Sequence, residues 1–126
     1  MNKIVFTILV AFTLVYASSS VFADTFIDVN TCELKKGKKQ KELQALNSKW
    51  LEWVRKNVNE NIESSVGTAV VGDQDVFLFV DTYPDLATWA ATQTILDSEA
   101  ASELEDMFEE VSDCSKNRLW KLEPTK

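Results

Sequence analysis

Cys32 and Cys114 are the only cysteines of this chain, and their chemistry depends on whether they pair. No C-x-x-C motif is present, so the sequence does not indicate a thiol redox centre. In an oxidising compartment an even number of cysteines predicts a disulfide. That bond would close a loop of 82 residues, and loop-closure entropy would make it worth about 4 kcal/mol of stability. Two buried, inert thiols are the alternative.

The sequence contains no histidine. This excludes a Ser-His-Asp triad, a Cys-His pair, and zinc or haem held by histidine. Glu103, Asp106, Glu110 and Asp113 follow one face of a predicted helix, but calcium sites usually take their ligands from a constrained loop. No pair of carboxylates has a spacing that specifies acid–base catalysis. The sequence therefore predicts no metal site, no cofactor and a solvated acidic helix face.

Five lysines crowd residues 35–41, at the predicted start of the first helix. Cations at a helix N-terminus oppose the helix dipole, whereas an anion there is stabilised by the free backbone N–H groups. We therefore expect a weak anion site at Lys38, Lys39 and Lys41. A solvated turn, neutralised in part by the acidic helix, is the alternative.

Aromatic side chains are the third group with possible chemistry. They are Trp50, Trp53, Phe77, Phe79, Tyr83, Trp89 and Phe108. A cavity that they line between helices and sheet would suit a flat, apolar ligand. Packing of the same residues in an ordinary core is the alternative.

Residues 1–23 have the pattern of a secretory signal peptide. A basic start is followed by an apolar run from Ile4 to Tyr16 and by a small residue at Ala23. The 13 residues of that run would span about 20 Å as a helix, less than the roughly 30 Å of a bilayer core. We expect cleavage after Ala23 and a periplasmic or extracellular protein that does not contact the membrane after cleavage. An uncleaved anchor is the alternative.

Length and composition describe a single domain over residues 24–126. The chain has 126 residues, of which 45% are hydrophobic and 26% charged. This balance is typical of a globular fold. The formal net charge of −7 argues against nucleic acid as a partner.

Hydrophobic periodicity predicts four strands and three helices. The strands are expected at Phe26–Leu34, Ser64–Val71, Asp75–Tyr83 and Arg118–Leu122, with a tight turn at Gly72–Gln74 between the second and third. The helices are expected at Gln40–Val58, from Asp85 to Leu96 and from Ser98 to Val111. This order predicts an α+β, ferredoxin-like βαββαβ fold, an antiparallel sheet with helices on one face. The first and last strands would be neighbours, so a Cys32–Cys114 link is sterically possible.

The strand before Tyr83 is apolar on both of its faces. Val76, Leu78 and Val80 share one face, and Phe77 and Phe79 share the other. Helices on one side of the sheet can cover only one of these faces, and soluble monomers rarely leave a large apolar patch exposed. We therefore expect a homodimer in which two sheets cover each other.

The element order and three segments carry a resemblance to a known group. The segments are Cys32–Lys38, Leu46–Trp50 and Val80–Asp85. Over residues 25–124 the chain resembles the dimeric α/β-barrel superfamily, which includes antibiotic-biosynthesis monooxygenases and stress-responsive barrel proteins. The resemblance implies two sheets packed face to face across a two-fold axis. Its cofactor-free monooxygenases use polar and aromatic side chains in a cavity, and Asn47, Trp50 and Tyr83 are the residues that match such a role.

Two classes of function follow. The first is a secreted, dimeric barrel protein without a recognisable catalytic site that binds a small apolar or aromatic ligand. The alternative is a cofactor-independent, monooxygenase-like enzyme with its pocket between the first helix and the sheet. No polar triad in the sequence requires an enzyme, so the first class is preferred.

Overall fold

Four strands and three helices make up residues 24–125, the part of the chain that the computed structural model describes. In chain order they are β1 (Thr25–Leu34), α1 (Gln40–Asn57), β2 (Glu63–Thr68), β3 (Val76–Tyr83), α2 (Leu86–Leu96), α3 (Glu99–Val111) and β4 (Ser112–Leu122). This confirms the predicted α+β class, with the second helical region divided into two helices. The predicted signal peptide lies outside the described residues.

The sheet has the strand order β2-β3-β1-β4, and each neighbouring pair is antiparallel. β1 therefore lies in the interior of the sheet, and β4 forms an edge beside it. In this register Cys32 lies opposite Cys114, and the two are joined in a disulfide. The predicted pairing of the cysteines is confirmed, and the bond fastens the edge strand to the interior one.

All three helices pack on the same side of the sheet. Phe77 and Phe79 of β3 face them and are buried with Leu43 and Leu46 of α1 in one core cluster. A second cluster joins Trp50 and other residues of α1 to Tyr83. The spacing of the buried α1 positions, three and four residues apart, gives one continuous apolar stripe toward the sheet.

The opposite side of the sheet, here called the open face, has no helix over it in residues 24–125. It carries Val76, Leu78 and Val80, which are half-buried. Trp120 of β4 lies on the same face opposite Ile27 and is 49% exposed. The sequence shows that both faces of β3 are apolar, and the structure decides which of them belongs to the core.

Two predicted strand boundaries were wrong. β4 begins at Ser112 directly after α3, six residues before the predicted Arg118. Its first half is an exposed edge that pairs with β1 on one side only. It therefore lacks the alternation of apolar and polar residues from which a strand is predicted. The segment from Ser112 to Asn117, between the predicted third helix and the predicted last strand, is therefore strand.

β2 ends at Thr68 instead of Val71. The chain then leaves the ladder through a loop over residues 69–75, in which Val71 is 90% exposed. Gly72 adopts a φ of 96°, a conformation that glycine tolerates best. Asp73 accepts a hydrogen bond from the backbone N–H of Asp75. These two features turn the chain before the strands can extend, so the connection is longer than the predicted three-residue turn.

Candidate functional site

A cavity of about 370 Å³ lies between the helix-facing side of the sheet and the helices. This size falls within the range of small-ligand sites, about 300–1,000 Å³. Asn47, Trp50 and Tyr83, the three pocket residues named from the sequence, all lie on its wall. The stripe of α1 and the alternation of β3 bring them together, because each faces the shared interface of helix and sheet.

Two carboxyl groups lie side by side on the sheet wall of this cavity. Asp28 of β1 is directly opposite Asp81 of β3 in the antiparallel register, and both line the cavity. Asp28 is 3% exposed and Asp81 is 8% exposed. Like charges directly opposite each other in a sheet are unfavourable, so this pair is held by the surrounding fold at an energetic cost.

The two carboxyl groups have different hydrogen-bond partners. Asp28 accepts one bond from the indole N–H of Trp89, at 2.8 Å, and another from the side-chain amide of Asn117. Asp81 accepts a bond from the hydroxyl of Ser64 through Oδ1. No donor within residues 24–125 reaches the other oxygen of Asp81, Oδ2. Both oxygens of Asp28 are thus satisfied, whereas one oxygen of Asp81 is free on the cavity wall.

Burial is the main cause that raises the pKa of Asp81 to about 7; the hydrogen bond from Ser64 opposes this rise, and the neighbouring carboxyl group of Asp28 adds to it. Burial and the carboxyl groups of Asp81 and Asp28 likewise raise the pKa of the Tyr83 phenol. At neutral pH Asp81 therefore exchanges a proton readily, and Tyr83 keeps its proton and acts as a donor.

A short chain of hydrogen bonds connects α1 to the carboxyl pair. The amide nitrogen of Asn47 donates to the Ser64 hydroxyl at 2.9 Å, and that hydroxyl donates its single proton to Asp81. Asn47 is 8% exposed. It therefore positions Ser64, and Ser64 in turn holds the Asp81 carboxyl in place.

Aromatic and apolar side chains form much of the remaining wall. Phe79 and Phe108 meet edge to face, with ring centroids 5.2 Å apart, and Leu96 and Leu104 lie beside them on the wall. Trp50 is 7% exposed and belongs to a core cluster as well. Trp50 thus has a packing role and also lies on the cavity wall.

The three lysines of the predicted anion site, at the start of α1, have different surroundings. Lys38 forms an ion pair with Glu110 of α3 at 2.8 Å, and that hydrogen bond raises the pKa of Lys38. Lys39 and Lys41 are exposed, and the carboxylate of Glu42 accepts the backbone N–H of Lys39 at 2.7 Å. An acidic partner thus occupies one of the three lysines, and anion binding at this turn stays a prediction.

Sequence reasoning missed the carboxyl pair because Asp28 and Asp81 are far apart in the chain. A signal was nevertheless present. Asp28 is in phase with Cys32, and Asp81 is in phase with Phe79 and Tyr83, so each is a polar residue at a core position of a strand. Buried polar groups of this kind often mark functional sites.

No group of three or more Cys, Asp or Glu side chains in residues 24–125 is arranged to hold a metal ion. None of the helices described is long and apolar enough to cross a membrane.

Comparison with solved structures identifies several proteins of the same fold. SnoaB, a cofactor-independent oxygenase from Streptomyces nogalater, is 10% identical with a TM-score of 0.60, over 82% of this chain and 97% of its own. The hydroxynitrile lyase of Passiflora edulis is 15% identical with a TM-score of 0.54, over 82% and 98%. A dimeric protein of unknown function and ferredoxin-like fold from Bacteroides fragilis is 11% identical with a TM-score of 0.51, over 78% and 96%.

No protein-family model matches the chain, and no curated protein matches it either. At these low identities the structural likeness establishes the fold alone. It confirms the ferredoxin-like fold that the resemblance implied. The activities of the similar proteins differ, so function has to be argued from the cavity.

Replacing Asp81 by asparagine should change how stability depends on pH. The ordinary pKa of 3.8 rises to about 7 in the fold, so the folded state binds a proton that the unfolded chain releases between these values. The resulting stability is present below about pH 4 and is lost as pH rises through about 7. Asp81→Asn should therefore lose less stability than wild type between pH 5 and pH 8, by about 2 kcal/mol or about 10 °C in melting temperature.

Thermal denaturation at several pH values measures this difference. Asp106→Asn is the matched control. Asp106 lies on the exposed side of α3, so this substitution makes the same chemical change outside the cavity. Parallel pH profiles for wild type and Asp81→Asn would contradict the buried titration.

Proposed function

We propose that this protein binds a small, flat, partly aromatic ligand in the cavity between its helices and its sheet. The observation that carries the proposal is the cavity itself, about 370 Å³ in volume. Protein interiors pack as densely as organic crystals, so a gap of this size between the helices and the sheet is unusual for a structure that serves packing alone. A space this large with several polar groups on its wall has the character of a binding site.

The composition of the wall supports a ligand with an apolar body and a few polar atoms. Trp50, Phe79 and Phe108 supply flat apolar surface, and Asn47 and Asp81 supply hydrogen-bonding groups. A few polar groups on an otherwise apolar wall fix the orientation of a ligand.

A cofactor-independent enzyme is the second candidate. The observation that favours it is the carboxyl pair, in which the pKa of Asp81 rises to about 7. An acid–base catalyst works best with a pKa near the working pH. SnoaB, of the same fold, is a cofactor-independent oxygenase. An enzyme of this kind would show turnover that titrates near pH 7 and is lost in Asp81→Asn, whereas a binding protein would show none.

We also propose that the working unit is a homodimer joined through the open face. The half-buried Val76, Leu78 and Val80 and the 49%-exposed Trp120 form one apolar surface there. A two-fold pairing of identical sheets would bury this surface in a self-complementary contact. The dimeric protein of the same fold supports this arrangement.

Secretion completes the proposal. The apolar run near the N-terminus followed by Ala23 supports export and cleavage. The Cys32–Cys114 disulfide agrees with an oxidising compartment, where such bonds persist. The protein would then meet its ligand outside the cytoplasm.

Filling the cavity should abolish ligand binding. Tryptophol, an uncharged indole, is a suitable probe and should bind with a dissociation constant of about 0.1 mM, as expected for a ligand of its size. Leu104→Trp and Gln93→Trp place a large ring on the cavity wall from α3 and α2, so each should remove the heat of binding in calorimetry.

The control for both substitutions is Leu86→Trp, which adds the same ring at an exposed position, 49% accessible, at the start of α2. It should bind tryptophol as wild type does. Full binding by both filling variants, with melting curves that show them folded, would argue against the cavity as the site.

A charge on the open face should divide the dimer. Leu78→Glu places a carboxylate in the proposed contact, where an unpaired buried charge is strongly unfavourable, so sedimentation at micromolar concentration should show a folded monomer. Leu86→Glu, on the helical side, should remain dimeric. Phe79→Glu should fail to fold, because Phe79 belongs to the core. A monomeric wild-type protein at this concentration would refute the dimer.

Export should leave a defined chain. N-terminal sequencing of the exported protein should begin at Asp24, and titration of the denatured, unreduced protein should find no free thiol. A chain that still begins at Met1, or that contains two titratable thiols, would contradict export with cleavage and oxidation.

A further inference from the structure

The charges on the cavity wall all have one sign. Asp28, Asp81, Glu105 and Glu109 line the cavity, and no lysine or arginine does. The ion pairs formed within residues 24–125 involve other carboxylates, so none of these four is neutralised by a cation there. The sequence shows the same bias on a larger scale, since residues 60–113 contain fourteen acidic residues and no basic one.

On this acidic wall, one carboxyl oxygen without a hydrogen-bond donor in the described part of the chain is accessible to a ligand. Asp81 is only 8% exposed, yet among residues 24–125 only its Oδ1 accepts a hydrogen bond. The free Oδ2 belongs to a side chain on the cavity wall. A buried carboxylate opposite a second carboxylate is unfavourable unless a cation or a donor compensates it.

The aromatic part of the wall suits an organic cation. The indole of Trp50 and the rings of Tyr83, Phe79 and Phe108 line the same cavity as the carboxyl pair. Aromatic faces attract ammonium groups, most strongly where water is excluded. They also stack on a flat apolar body, which a bare metal ion lacks.

We propose that the cavity selects a cationic amine on a flat aromatic body, with the ammonium group held between Asp28 and Asp81. This inference rests on the proposed ligand-binding function and specifies the charge of the ligand. The ammonium donates to the free Oδ2 of Asp81 and neutralises the carboxyl pair, and the aromatic walls hold the ring.

Amine binding is then linked to a proton. The titratable groups that line the cavity with Asp81 are Asp28 from β1, Tyr83 from β3, and Glu105 and Glu109 from α3. A bound cation favours ionised Asp81, so binding releases a proton, and affinity rises as pH increases from 6 to 8.

The helices on the other sides add no charge to this balance. From α2 the cavity is lined by Gln93 and Leu96, and from α1 by Asn47 and Trp50. None of these side chains carries a charge. The proton released on amine binding therefore comes from Asp81 and the carboxyl groups that line the cavity with it.

The test is a series of three indoles that differ only in the charge of the side chain: tryptamine is cationic, tryptophol neutral and indole-3-acetate anionic. Calorimetry at pH 8 should show tryptamine binding about tenfold tighter than tryptophol, and indole-3-acetate weakest, as Coulomb attraction in a partly buried site requires. At pH 7, the binding heat of tryptamine in buffers of different ionisation enthalpy should reveal proton release.

Asp81→Asn and Asp106→Asn separate the carboxyl pair from the general charge of the protein. Asp81→Asn should reduce the ratio of tryptamine to tryptophol affinity to about one and abolish proton release. Asp106→Asn removes an equal charge from the exposed side of α3 and should retain the wild-type ratio.

The outcomes distinguish this inference from the function on which it rests. If tryptophol or indole-3-acetate binds at least as tightly as tryptamine, selection for a cation is overturned and small-ligand binding stands. The same holds if Asp81→Asn keeps the wild-type ratio. If none of the three indoles binds, both proposals are overturned.

Discussion

The antiparallel register between β1 and β3 is the constraint on which the rest of the structure depends. It places Asp28 opposite Asp81 and Cys32 opposite Phe77, and it directs all four side chains toward the helices. Because side chains alternate across a strand, a slip of one residue would move this whole set to the open face. The core and the cavity are therefore two results of the same pairing.

The register joins an unfavourable feature to a favourable one. The rings of Phe77 and Phe79 bury apolar surface against α1, and the same face of β3 carries Asp81 into the interior. The fold compensates in part through hydrogen bonds from Trp89 to Asp28 and from Ser64 to Asp81. One carboxyl oxygen is left over, and this makes the region better suited to a ligand than to a closed core.

Charge organises the outside of the helical layer as well. The acidic α3 lies beside the basic turn that precedes α1, and Lys38 pairs with Glu110 across them. Such exposed pairs contribute little stability, typically about 1 kcal/mol or less. Their effect here is to neutralise the basic turn, whereas Glu105 and Glu109 of α3, which line the cavity, form no ion pair within residues 24–125.

The sequence alone predicted the fold class, the presence of every strand and helix, and, for an oxidising compartment, a disulfide between Cys32 and Cys114. Periodicity reports which residues share a face, and two cysteines allow only one intrachain bond. Asn47, Trp50 and Tyr83 were named from the resemblance to cofactor-free monooxygenases, which use polar and aromatic side chains in a cavity. The sequence could not place the start of β4 at Ser112, since an exposed edge strand has no hydrophobic alternation.

Tertiary structure decided what depends on contacts between distant segments. It chose Phe77 and Phe79 over Leu78 for the core, a choice that two equally apolar faces leave open. It brought Asp28 and Asp81 together across neighbouring strands, because register is set by the packing of whole faces and not by local spacing. The cavity and its acidic wall follow from that packing, since an unfilled space exists only where separate elements meet.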